Sequence, residues 1–161
     1  MQKRVTVETV SWVLVLAAVF CVTILKAYVD GGPFWSAAVQ TRRELRLIPL
    51  EEFHRPSVWY GPWLNLFGNV ALFAPVGFLA RRRAVWAGLT LSALVEVTQF
   101  VTATGYSDVD DLMFNTLGAA LGGWAATRYI GRGHRKVARV LAVGALAVVA
   151  VFVGAWLRQL R

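Results

Sequence analysis

Eight side chains in this sequence have the types and spacing to do chemistry, and they fall in three groups. Asn65 and Asn69 stand one helical turn apart. Glu96 and Gln99 follow Ser92 at i, i+4, i+7 spacing, which places all three on one helix face. Asp108, Asp110 and Asp111 lie within four residues, and Asn115 comes one turn later. Each group borders or enters a strongly apolar run. Charge beside hydrocarbon is costly, so such positions point to function. Carboxylates and amides together can receive a polar or cationic group, and clustered aspartates can also hold a divalent cation or exchange protons. Each group also has a plainer role. An aspartate caps a helix start, an asparagine links helices, and a buried glutamate ties spans together. No nucleophile–base pair, HExxH or Lys–Arg phosphate clamp accompanies the acids, so no catalytic residue is assigned. No metal site or cofactor is expected either. Cys21 is the only cysteine and can form neither an intramolecular disulfide nor a Cys-based metal site.

The elements that position these groups read as membrane helices. Of the 161 residues, 57% are hydrophobic and only 16% charged, and the mean hydropathy is +0.55. A soluble domain carries roughly a quarter charged residues. The apolar residues come in long blocks, which leaves no room for a large soluble domain. The net charge of +8 does not imply nucleic acid as a partner. The basic residues cluster at the ends of apolar blocks, as topology signals and anionic-lipid contacts do.

The expected fold class is an all-α polytopic bundle of about five transmembrane helices. Residues 1–29 hold the first, an uncleaved span from about Val10 to Leu25 closed by Lys26 and Tyr28. Asp30-Gly31-Gly32-Pro33 breaks it, and residues 30–63 form an extracytoplasmic segment lying at the interface, partly helical. Residues 64–130 hold three spans, Leu64–Ala80, Ala84–Ala103 and Leu112–Ile130, with Pro75 and Gly77 predicting a kink in the first. Residues 131–161 comprise a basic loop and a last span, Val137–Leu157. Each block is about 17–21 residues long, enough to cross a ~30 Å core at ~1.5 Å per residue. With a cytoplasmic N-terminus the inside carries ten basic residues and the outside seven, and the short Arg81-Arg82-Arg83 loop weighs most. All eight polar side chains then fall near one face of the membrane. Gly118-x-x-x-Gly122 lets a neighbouring helix, the second or third block, approach the fourth closely.

Four stretches in order resemble the VanZ-like family, named for a teicoplanin-resistance accessory protein. They are Leu47-Ile48-Pro49-Leu50, the run Asn65–Phe78 with Asn69, Pro75 and Gly77, Ser92 to Gln99, and Asp108 to Ala119. The resemblance covers about Leu47 to Gly123. It implies a multi-pass protein of the bacterial cell envelope, linked in some members to glycopeptide resistance. Many members carry an arginine just before the acidic run. Here Tyr106-Ser107 fills that place, so if that arginine neutralises the aspartates elsewhere, this acidic site is barer.

The ligand expected from these readings is amphipathic, a cell-wall lipid precursor or a lipoglycopeptide, with membrane lipids as the other partners. Glu96, Gln99, the three aspartates, Asn115, Asn65 and Asn69 would meet its polar part. The rival reading is an intramembrane enzyme acting on an envelope lipid through Glu96 and the Asp108–Asp111 acidic loop.

Overall fold

Three segments are long and apolar enough to cross a membrane: Val7–Ala27, Gly61–Thr102 and His134–Gln159. The middle one has 42 residues and as a straight helix would run about 63 Å, twice a ~30 Å core. It does not run straight. Gly77 and Gly88, one on each side of the arginine triplet, both face Ala119, so the chain has turned back between them. The reversal sits at Arg81, whose φ of 55° and ψ of −116° leave the helical region. Arg81–Arg83 then form a single 3-10 turn.

The computed structural model describes residues 6–29, 43–56, 58–128 and 133–161. In chain order the elements are α1 (Val7–Thr23), a 3-10 turn (Leu25–Ala27), β1 (Arg43–Arg46), α2 (Glu51–His54), α3 (Gly61–Ala80), α4 (Ala84–Thr102), β2 (Gly105–Asp108), α5 (Val109–Arg128) and α6 (His134–Gln159). The architecture is an all-α bundle of five long helices, compatible with five crossings. α5 is long enough to span but less apolar, because Asp110 and Asp111 head it and Arg128 ends it. Pro75 lies inside α3, which nevertheless continues as helix to Ala80. Asp30-Gly31-Gly32-Pro33 and Ile130, and four of the basic residues in the charge balance (Lys3, Arg4, Arg42 and Arg132), lie outside the described residues.

α5 fits against both arms of the α3–α4 hairpin. A Cβ on Gly118 would strike the Val70 backbone, and one on Gly122 the Ala74 and Phe78 backbone. The Gly118-x-x-x-Gly122 face therefore meets the second block, α3. Gly88 of α4 approaches Ala119 from the other side. α1 and α6 form a second pair, pinned where the buried Ser11 hydroxyl donates to Ala138 O at 3.0 Å. Val15, Val19, Phe73, Val76, Phe78 and Val95 fill the space between the two groups. Trp59, Tyr60 and Trp63 are exposed at one end of the bundle, and Trp86 and Trp124 at the other, consistent with aromatic belts at two interfaces.

Two features depart from the sequence reading. Part of the 30–63 segment and part of the acidic loop are strands, β1 and β2, paired in parallel with Arg43 opposite Gly105 and Arg46 opposite Asp108. Two such short strands are marginal alone, but β2 is tied to α4 by Ser107 Oγ donating to Glu96 O at 2.7 Å. The fourth block also begins earlier than Leu112, at Val109, because an aspartate caps it, as described below.

Replacing Gly122 by Val should destabilise the bundle by about 2 kcal/mol through overpacking against backbone that cannot yield. Gly144→Ala, where nothing lies within 4 Å of an added Cβ, should be neutral or slightly stabilising. Thermal unfolding of the detergent-solubilised protein measures both.

Candidate functional site

The site forms where α1 ends, α3 begins, α4 ends and α5 begins. All four termini meet at one rim of the bundle, under the β1–β2 ladder. The eight side chains singled out above do not form one cluster there; they divide among distinct tasks.

Asp108 is the N-cap of α5. Its Oδ1 accepts from Asp110 N at 2.8 Å, the bond that satisfies one orphan amide of a helix start. The Asp108 amide in turn donates to Glu96 Oε2 at 2.8 Å. Glu96 thus holds the strand–helix junction with a side-chain bond and, through its carbonyl, with the Ser107 bond. Asp110 reaches the other way. Its Oδ1 accepts from Leu50 N at 2.8 Å, and Leu50 has φ 59°, an uncommon left-handed position for a branched residue. That latch fixes the Leu47–Leu50 approach, where Leu47 and Ile48 are exposed.

Asp111 faces inward. Asn69 Nδ2 donates to Asp111 Oδ1 at 2.6 Å and to Asn65 Oδ1 at 2.9 Å. A carboxylate acceptor fixes which end of the Asn69 amide carries the hydrogens. Asn115 lies deeper, donating to Ser92 Oγ at 3.0 Å between α4 and α5. It joins the two helices and does not line the cavity. Gln99 is buried and donates through Nε2 to Thr23 O at 3.0 Å, tying α4 to α1.

A cavity of ≈ 380 Å³ opens between these groups. Asn65, Gln99, Asp108 and Asp111 line it, with Lys26, Arg46, Glu52, Leu64, Gly105 and Tyr106. A second polar cavity of ≈ 220 Å³ adjoins it, lined by Glu44, Arg46, Glu51, Glu52, Arg55 and Asp110 among others. Arg46, Glu52 and Asp108 form the wall common to both. Arg46 bonds Glu44 at 2.9 Å and Glu52 at 2.7 Å, and its guanidinium lies 4.2 Å from the Tyr106 ring centroid, within cation–π range. Beside the acidic run, β1 thus places an arginine over the Tyr106 ring, with its charge acting on Asp108. Lys26 and Arg46 are cations of the site that sequence reasoning did not select. Lys26 read as the end of a span and Arg46 as part of the interfacial segment. The signal that could have found Arg46 is only its register opposite Asp108, which needs the strand pairing to be known.

Among the described residues, no three His, Cys, Asp or Glu side chains converge as a metal-binding group. The division of the aspartates explains this, since each points to a different partner. What the arrangement offers is recognition: a polar recess holding both signs of charge at the edge of an apolar bundle.

A family model described as VanZ/LLP1 matches residues 12–132, about three-quarters of the chain. No curated protein and no solved structure matches the chain.

Burial, with the nearby charges of Asp111, Asp110 and Glu52, raises the Asp108 carboxyl to about 6, and the Asp110 amide only partly offsets this. The unfolded chain gives up this proton near its ordinary value of about 3.9. Between those values the folded state binds more protons, so Asp108 makes stability fall as pH rises from about 4 to about 6. Asp108→Asn, which keeps an N-capping side chain, should flatten that part of the slope in melting temperatures measured from pH 4 to 7.

Proposed function

The chain is a membrane protein belonging to the VanZ/LLP1 family, and on that premise we propose that it binds an amphipathic envelope ligand at the rim cavity. The ligand is a cell-wall lipid precursor or a lipoglycopeptide, and the binding contributes to tolerance of glycopeptides such as teicoplanin. The N-terminus is cytoplasmic in this reading, which puts the cavity at the outer leaflet, where both ligands are found.

One observation carries the proposal. The ≈ 380 Å³ recess is lined almost entirely by polar and charged groups, yet one wall is Leu64. Leu64 is 64% exposed, and Phe67 lies beyond it on α3, 63% exposed. A polar head can occupy the recess while an acyl tail leaves along α3 without crossing a polar surface. A purely water-soluble ligand would have no use for that wall. A deeply apolar one would have no use for Lys26, Asp108 and Asp111.

Asp111→Asn removes charge at the cavity while keeping a group that can meet Asn69. Cells producing this variant at normal levels should become as sensitive to teicoplanin as cells lacking the protein. Unchanged tolerance, with protein amounts matched by immunoblot, would sink the proposal.

A further inference from the structure

The cavity has an excess of hydrogen-bond acceptors, and this restricts the head group it can take. Two of the inward-facing amides have committed donors to neighbours within the protein. Asn69 gives its two hydrogens to Asn65 and Asp111. Gln99 gives one to the Thr23 carbonyl, and that acceptor fixes the orientation of the Gln99 amide. The other half of Gln99 is left over. The residue is only 3% exposed, it lines the cavity, and its Oε1 has no hydrogen-bond partner among the described residues. An orphaned buried acceptor costs stability unless something supplies a donor. Beside it stand the carboxylates of Asp108 and Asp111, which are acceptors only when ionised.

Lys26 also borders the recess, on the turn that ends α1. Among the described residues it forms no ion pair, since Arg46 makes both of those present. The recess therefore presents acceptors and negative charge with a cation, Lys26, beside them, its charge acting on Asp111 and Glu96.

We propose that the cavity recognises an amphiphile whose head carries a primary ammonium next to an anionic group. The N–H donors go to Gln99 Oε1, Asp111 and Asp108, and the anion goes to Lys26. This rests on the proposed binding of an amphiphile at this site and names its head-group chemistry. A primary ammonium supplies three donors in different directions, matching three separate acceptors. A quaternary ammonium carries the same charge and no donor, and leaves Gln99 Oε1 as it is. The exposed Leu64 wall identifies a membrane amphiphile as the source, in preference to a free amino compound.

Phosphatidylethanolamine and phosphatidylcholine separate these cases, because they share a phosphate and differ in N–H donors. Native mass spectrometry of the full chain in detergent, with each lipid and the two intermediate N-methylated forms, reads retention directly. Phosphatidylethanolamine should be retained about tenfold better than phosphatidylcholine, the worth of about one charge-assisted hydrogen bond, with retention falling at each added methyl. Gln99→Met, which removes one of the three acceptors, should lower the ratio, and Lys26→Gln should weaken both lipids. Equal retention of the methylation series by the wild-type chain overturns the inference, and needs no variant to fold. Displacement of the lipid by an equal amount of free phosphoethanolamine overturns its membrane source. If both lipids are retained equally and both are lost in Asp111→Asn, the amphiphile site stands and only the ammonium preference falls. If Asp111→Asn alters neither, the proposed binding site falls as well.

Discussion

A carboxylate at the head of an apolar helix needs donors, and Asp111 obtains one from Asn69 across the seam between α3 and α5. That bond forms only if the two helices lie close together. Gly118 and Gly122 provide the closeness, since each rests directly on α3 backbone. The polar bond at the rim and the glycine contacts further in therefore depend on each other. Glycine lets the helices touch but does not choose a register, because small faces slide. The Asn69–Asp111 bond chooses it, because a shift by one turn would leave a charged group without its partner. α4 is placed by the same logic from the other side, through Asn115 on Ser92 and Gly88 on Ala119.

The three aspartates look redundant in sequence and are not so in space. Successive side chains around a helix start point about 100° apart, so neighbours cannot share a target. Asp108 caps, Asp110 latches Leu50, and Asp111 faces the seam. Glu96 supports the first of these by accepting the Asp108 amide. The cost of gathering negative charge at this rim is offset by Lys26, from the end of α1, and by Arg46, carried in on β1. Arg46 also closes the gap between the two polar cavities, with Glu52 and Tyr106 holding it from both sides. The exposed side of the acidic junction is thus built from a segment some sixty residues earlier.

The long helices and the gathering of Asn65, Asn69, Gln99, Asp108 and Asp111 at one rim were legible because they follow from periodicity and from apolar block lengths. Hairpin topology alone sends the start of α3, the end of α4 and the start of α5 to the same end. That Asn115 links helices was among the readings of the sequence, but its partner Ser92 was not legible. Its spacing puts it on the correct face, but whether it reaches the cavity or Ser92 depends on helix rotation, which no single helix encodes. β1 and β2 were hidden for a different reason. Arg43-Glu44-Leu45-Arg46 and Gly105-Tyr106-Ser107-Asp108 are too short and too polar for a strand period to show. Their pairing is a long-range contact that favourable local pattern cannot announce. Lys26 and Arg46 were missed as a consequence, since both belong to the site only through the fold.

The depth of the recess bears on what kind of work it can do. Asn65 and Asp111 lie in the first turns of their helices, and Gln99 is three residues from the end of α4, about 5 Å along the axis at ~1.5 Å per residue. Secondary transporters place their sites near the bilayer midplane, between repeats that rock around them. Here the middle of the bundle holds the seam of Gly77, Gly118, Ala119 and Gly122, packed against backbone. Under the proposed function, a site confined to the rim would exchange polar heads with the aqueous side and tails with one leaflet. That geometry would suit capture of an amphiphile from the leaflet it faces, and it agrees with the placing of Asp111 at the start of α5 and Lys26 in the turn after α1, where water keeps the cost of charge low.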